Sequence, residues 1–245
     1  MTSQNRIAVV SGGMGGIGTA ICQKLAAEGA TVVVLAHSSE EGNVAGWQAE
    51  NGDFEVLCGD VADTADAARM MNAVVEKHGR VDIVVNCAGI TRDTTFKKMT
   101  ADQWNAVIDV NLSSVYNVTQ PVWEGMLNNG FGRVINISSV NGQRGQFGQA
   151  NYSAAKAGMH GFSMALAYEG AAKGVTANTI SPGYIETAMT AAMRDDVREA
   201  IVGGIPMRRM GTPEEIANSV AFLAADESTY ITGANLPVNG GLFIH

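Results

Sequence analysis

Ile7-Ala8-Val9-Val10-Ser11-Gly12-Gly13-Met14-Gly15-Gly16-Ile17-Gly18 is the stretch on which the fold turns. Ile7 to Val10 is a short apolar run rich in β-branched residues, and from Ile17 the apolar residues Ile17, Ile21 and Leu25 recur every four positions as far as Gly29. The segment therefore reads as strand, tight turn, helix. A turn that only needs positive φ angles uses one or two glycines, whereas five of the seven residues from Gly12 to Gly18 are glycine. Glycines at that place let the backbone approach a pyrophosphate resting on the helix amino terminus, so a bound nucleotide is expected.

Outward from this unit the pattern repeats. Runs of strand type occur at Thr31 to Ala36, Phe54 to Cys58, Val81 to Asn86, Arg133 to Ser138, Val175 to Ile180 and Asn235 to Val238. Helical spacing follows a cap signal at Asp63/Thr64 and runs to His78, a second helix opens at Thr100, and a long Ala- and Gly-rich helix spans Tyr152 to Lys173. The strands are continuous apolar runs, not alternating ones, which places them in a sheet covered on both faces. The expectation is an α/β fold: one Rossmann-type, doubly wound parallel sheet of about seven strands with helices on both faces, as a single domain over residues 1–245.

Composition narrows the class. With 46% hydrophobic and 16% charged residues the chain can bury a large core, and a net charge of −8 spread along its length gives no basic footprint for nucleic acid or anionic lipid. The first residues hold too short an apolar run for a secretion signal or a membrane span, so a soluble, cytoplasmic protein is expected. Cys22, Cys58 and Cys87 lack C-x-x-C spacing and read as buried free thiols. The histidines His37, His78, His160 and His245 show no ligand spacing, and no metal site is expected.

Tyr152 and Lys156 stand four apart, on one face of the long helix. An ammonium beside a phenol favours the phenolate and lowers its pKa, making Tyr152 a candidate general acid or base. Alone, such a pair usually means a solvated helix face; its weight here comes from Ser139 at the carboxyl end of the fifth strand, where ligands of such sheets bind.

Taken together, the glycine turn, Asn86-Cys87-Ala88-Gly89, Asn111, Ile137-Ser138-Ser139, Tyr152-x-x-x-Lys156 and Pro182-Gly183 resemble the short-chain dehydrogenase/reductase family over essentially the whole chain. Ser11 stands where that family usually has Thr, and Cys87 where it has a second Asn. The resemblance implies Tyr152 as proton donor to a substrate carbonyl, Ser139 as a hydrogen-bond donor to it, Lys156 as ribose ligand and pKa tuner, and Asn111 as anchor of a relay water. It implies a nicotinamide cofactor held by Gly12, Met14, Gly15, Gly16, Ile17, Gly18, His37, Ser38, Asp60, Val61, Asn86, Ala88, Gly89, Tyr152, Lys156, Pro182, Gly183 and Ile185. It also implies a substrate lid over residues 184–210, which carries Met189, Met193, Met207 and Met210, and a homotetramer. Small residues on the long helix (Ala154, Ala155, Gly158, Gly161, Ala165) suit either close helix approach or packing on the sheet.

Within that family, Asn136 to Tyr152, Gly89 to Asp93 and Ser181 to Tyr184 closely resemble the acetoacetyl-CoA reductases of polyhydroxyalkanoate synthesis, which make (R)-3-hydroxybutyryl-CoA. That implies substrate contacts at Ser139, Gln146, Phe147, Gln149, Tyr152 and Tyr184, and acetoacetyl-CoA or a similar short 3-ketoacyl-CoA as substrate. The nearest alternative is a 3-ketoacyl-carrier-protein reductase, which needs basic residues by the cleft; Leu127-Asn128-Asn129-Gly130 is uncharged, leaving Lys173. A catalytically idle dinucleotide-binding regulator is a further alternative, and the intact Asn111, Ser139, Tyr152 and Lys156 set argues against it. No Lys or Arg occurs from Thr31 to Gly52 or in the glycine turn, while Glu40 and Glu41 follow the second strand, so NADH is expected over NADPH. NADPH stays open through Ser38, Ser39 and a protonated His37.

Overall fold

The computed structural model describes residues 5–191 and 193–244; residues 1–4, Ala192 in the expected lid, His245 and the side chains of Ala188 and Met189 lie outside the described part. In chain order the elements are β1 (Ile7–Ser11), α1 (Gly16–Ala27), β2 (Thr31–His37), α2 (Val44–Asn51), β3 (Glu55–Gly59), α3 (Thr64–His78), β4 (Ile83–Asn86), α4 (Ala101–Ile108) and α5 (Ser114–Asn129). There follow β5 (Gly132–Ile137), α6 (Val140–Arg144), α7 (Ala150–Gly170), β6 (Val175–Pro182), α8 (Ala188–Ala191), α9 (Asp195–Gly204), α10 (Pro213–Ala224) and β7 (Asn235–Val238). The strands form one seven-stranded sheet in the order β3-β2-β1-β4-β5-β6-β7, every neighbouring pair parallel. The order reverses between β1 and β4, and a crevice opens there at the strand carboxyl ends.

Alternation along β1 shows why both faces must be covered. Ala8 and Val10 join Ile21 and Leu25 of α1 and Ile216 and Val220 of α10 in one core, while Val9 joins Met70, Met71 and Val74 of α3 and Val118, Val122 and Met126 of α5 in the other. Removing one such fully buried side chain, as in Leu25→Ala, costs about 2–5 kcal/mol.

Helix starts follow the chemistry of their caps. Asp63 accepts the Asp66 N–H at 2.8 Å, and Thr100 and Gln103 cap each other at the start of α4. Between α4 and α5 the chain makes a π turn over Asp109–Ser113, which brings Asn111 into the buried interior.

Most strand bounds shift by one or two residues from the sequence reading, and larger departures have physical reasons. The fourth strand begins at Ile83, because Asp82 is a buried latch whose carboxylate accepts the Ile7 N–H at 2.9 Å and pairs with Arg80 at 3.0 Å. The long helix starts at Ala150 and ends at Gly170; a 3-10 turn, Ala171–Lys173, carries the chain to Gly174 at φ +73°. All three cysteines are free, but only Cys22 is fully buried; Cys58 and Cys87 lie near strand ends that border the crevice and are partly exposed.

Candidate active site

The carboxyl ends of β1, β4, β5 and β6 carry a row of polar residues in register: Ser11 opposite Asn86, Asn86 opposite Asn136, and Asn136 opposite Thr179. Asn86 Nδ2 donates to Asn136 Oδ1 at 2.8 Å and to Thr119 Oγ1 at 3.2 Å, and Asn136 Nδ2 donates to Ser163 Oγ at 2.8 Å. Asn86 thus supports the crevice floor from beneath, its amide N–H groups committed to β5 and α5. Ser11 Oγ accepts the backbone N–H groups of Cys87 and Ala88 at 3.2 and 3.3 Å, tying the end of β1 to the loop after β4.

At the glycine turn, Gly12 has φ +65°, and a Cβ there would lie 2.8 Å from the Ala88 Cα; a Cβ on Gly18 would overlap the Gly12 carbonyl oxygen. Helix α1 opens at Gly16 with no side-chain cap and no acidic residue in its first turn, so its first N–H groups are left for a phosphate. Thr187, at the start of the expected lid, packs against Gly16. A dinucleotide therefore fits this edge of the crevice.

Ser139 follows β5 directly and heads α6, its Oγ accepting the Asn141 N–H at 3.1 Å. Tyr152 and Lys156 project from α7 one turn apart, with Nζ 5.7 Å from the centre of the Tyr152 ring. The Ser139 hydroxyl hydrogen-bonds the Tyr152 phenol and pulls its pKa down, but burial pushes it up more strongly, aided by Asp93 and Cys87, so it ends above the usual tyrosine value. Lys156, only 3% exposed, is itself driven down to about 8 by burial, which weakens its charge, and it faces the flat of the ring instead of the hydroxyl. Nζ donates to the Ile137 carbonyl at 2.7 Å, and an ammonium with three donors has capacity left for ribose hydroxyls.

Asn111 spends its side chain on one residue, accepting the Ile90 N–H at 2.7 Å and donating to the Ile90 carbonyl at 2.8 Å. A Cβ on Gly89 would sit 2.7 Å from Asn111 Oδ1 and 3.5 Å from Lys156 Nζ, so only glycine leaves that corridor open.

Other expected contacts fall as follows. Asp60 accepts the Ala62 N–H at 2.9 Å, and the Val61 carbonyl accepts from Asn117 at 3.0 Å. Pro182 ends β6, the Gly183 N–H donates to Val238, and Ile185 is buried beside Gly211. Ser38 and exposed His37 stand at the end of β2; His37 Nδ1 accepts the Ser39 N–H at 3.2 Å, and Glu40 Oε2 accepts the His37 N–H at 3.0 Å. Met14, Ile17 and Tyr184 are half-buried along the crevice edge. Gln146 and Phe147 are exposed, whereas Gln149 is bound within the protein: Nε2 donates to Asp93 Oδ2 at 2.8 Å and Oε1 accepts from Asn141 Nδ2 at 2.9 Å. Of the lid methionines, Met210 is core and Met207 exposed. Ala155 is buried beneath α7 and Gly158 abuts Leu112, leaving Ala154, Gly161 and Ala165 outward.

The sequence reading did not single out Asp93, Asn141 or Asn151 as site residues. Asn151 is fully buried, and its Oδ1 accepts the Tyr152 N–H at 2.8 Å. No periodicity marks such residues: Asp93 is bonded from Gln149, 56 positions on, and Asn151 reaches back 59 positions to Arg92 and 48 to Gln103.

Among the described residues, no helix is long and apolar enough to cross a membrane, and no three His, Cys, Asp or Glu side chains gather as a metal site. A family profile described as enoyl-(acyl carrier protein) reductase matches residues 12–243. An acetoacetyl-CoA reductase of Allochromatium vinosum is 66% identical over 244 residues, 98% of this chain and 99% of its own. The acetoacetyl-CoA reductase of Cupriavidus necator is 54% identical over 97% of this chain and 98% of its own. A 3-oxoacyl-(acyl-carrier-protein) reductase of Salmonella typhimurium is 46% identical over 100% of both chains. Identity of that depth over that length settles the ancestry: this chain belongs to the short-chain dehydrogenase/reductase family.

Proposed function

We propose that the protein reduces acetoacetyl-CoA, or a similar short 3-ketoacyl-CoA, to the (R)-3-hydroxyacyl-CoA, using NADH in preference to NADPH. The observation that carries the reading is the Ser139, Tyr152 and Lys156 group, held across the strand ends from an uncapped, glycine-lined helix terminus. Its match to the Allochromatium and Cupriavidus reductases favours a CoA thioester.

When bound, the nicotinamide supplies the hydride that reaches the ketone carbon. Tyr152 gives its phenolic proton to the ketone oxygen, and a phenol kept neutral by burial suits that direction of transfer. Ser139 Oγ donates a hydrogen bond to the same oxygen as charge develops there. Lys156 holds the ribose through its remaining N–H groups. Asn111, its side chain bound to both backbone groups of Ile90, is the residue that anchors a relay water. Residues 184–210 cover the acyl arm, with Tyr184 at its inner edge.

The preference for NADH is drawn from the end of β2. Glu40 is fastened to the His37 N–H at 3.0 Å, and Glu40 and Glu41 both help raise the Cys58 pKa, so two carboxylates bear on the ground where a 2′-phosphate would rest. The nearby guanidinium of Arg69 is paired with Asp66 at 2.5 Å. His37 Nδ1 already serves as an acceptor for the Ser39 N–H, so that ring nitrogen is engaged within the turn. A cytoplasmic homotetramer completes the proposal, with the outward small residues of α7 and the exposed Met164 and Tyr168 as one contact face. Following nicotinamide absorbance with acetoacetyl-CoA and each reduced cofactor tests it; absence of turnover with either cofactor would leave the idle dinucleotide-binding reading.

A further inference from the structure

We infer that Asn151 is a positioning residue for this reduction, its carboxamide locking the Tyr152 backbone to the loop that walls the acyl pocket. Asn151 lies in the first turn of α7 with no exposed surface. Its Oδ1 accepts the Tyr152 N–H at 2.8 Å, while its Nδ2 donates to the carbonyls of Gln103 at 3.1 Å and Arg92 at 3.3 Å. One side chain thus joins the helix bearing the proton donor, the first turn of α4 and the loop after β4.

That loop is held by two other carboxamides. Asn111 takes both backbone groups of Ile90, and Gln149 binds Asp93 at 2.8 Å. Ile90, Arg92 and Asp93 are therefore pinned from the π turn, from α7 and from the turn before α7. Asp93 in turn bears on the Tyr152 phenol. Of the three amides, Asn151 alone is bonded to the backbone of Tyr152 itself. Without it, the phenol and the pocket wall lose their common reference, and a displacement near 1 Å costs about 10²-fold in rate.

The inference rests on Tyr152 being the acid of the reduction, and the test separates the two. Asn151→Ala should lower kcat at least about tenfold and raise KM for acetoacetyl-CoA, with KM for NADH within about twofold of wild type, because the dinucleotide edge makes no contact with Asn151. Asn151→Asp keeps the acceptor for the Tyr152 N–H but turns a carboxylate oxygen toward the Gln103 and Arg92 carbonyls, and it should be as slow. Asn151→Ser replaces the alanine variant if that does not fold, as judged by thermal melting. A folded variant with kcat within twofold of wild type overturns the inference, and so does a fall in NADH affinity parallel to the fall in kcat. Tyr152→Phe is run alongside: if it stays active the reading of Tyr152 fails, whereas if it is silent and the Asn151 variants are normal, only the inference fails.

Discussion

Lys156 Nζ donates to the Ile137 carbonyl oxygen at 2.7 Å, a main-chain group at the last position of β5. The bond anchors an ammonium in the floor of the crevice with one acceptor, in surroundings that disfavour its charge. The protein holds the cation there at a cost to its own stability until a ligand supplies further oxygens.

Stability should therefore depend on pH through Lys156. Burial lowers its pKa from 10.5 to about 8, so the cost of the charge is fully present below pH 8 and is relieved as pH rises toward 10.5. The difference corresponds to about 3 kcal/mol. Urea unfolding of the ligand-free protein and of Lys156→Met should show the wild type gaining on the variant by roughly that amount between pH 7 and pH 10.5. Parallel pH profiles would mean that Lys156 is not penalised by burial.

Tyr152→Phe should keep the fold and cofactor binding and lose turnover, since general acid catalysis is worth about 10²–10⁴-fold. More than a tenth of wild-type kcat at saturating substrate would show that another group protonates the ketone.

The carboxylates after β2 should make kcat/KM for NADH at least about tenfold higher than for NADPH at neutral pH, because a carboxylate repels a phosphate by about 1 kcal/mol at contact in water and more when partly buried. Glu40→Gln keeps an acceptor for the His37 N–H and should narrow the ratio. Equal or higher efficiency with NADPH would defeat the assignment.

Acetoacetyl-CoA should outperform the same acyl group on an acidic carrier protein, because Leu127 to Gly130 offers no charge to steer such a partner, and exposed Lys173 stands on the 3-10 turn after α7 without basic neighbours in sequence. A carrier-bound substrate preferred in kcat/KM, with the preference fading as salt is added, would move the chain to fatty-acid synthesis.

The parts of the molecule that could be read in advance are those governed by local pattern. Continuous apolar runs and the glycine cluster specify a buried parallel sheet, and Asp63 and Thr100 mark helix starts by their own side chains. The Tyr152 and Lys156 pair is visible because helical spacing brings it together. The direction of the Tyr152 shift was not visible, since burial is set by what the rest of the chain packs over the phenol. Nothing near Gln149 in the sequence marks its bond to Asp93, 56 positions away. Arg133 begins a strand in the sequence and is wholly enclosed in the structure, sharing the Phe131 ring with Arg6; nothing in its neighbours announces that a charge will be buried there.

Helix α9 buries none of its side chains, although Ile205 and Met210 just beyond it are core residues. The sheet's amides therefore open only with global unfolding, whereas α9 is anchored chiefly at its ends. Amide hydrogen exchange should divide the molecule in two, slow at Val134 to Ile137 and fast at Asp195 to Gly204. A protease that nicks α9 should leave a folded, cofactor-binding body behind.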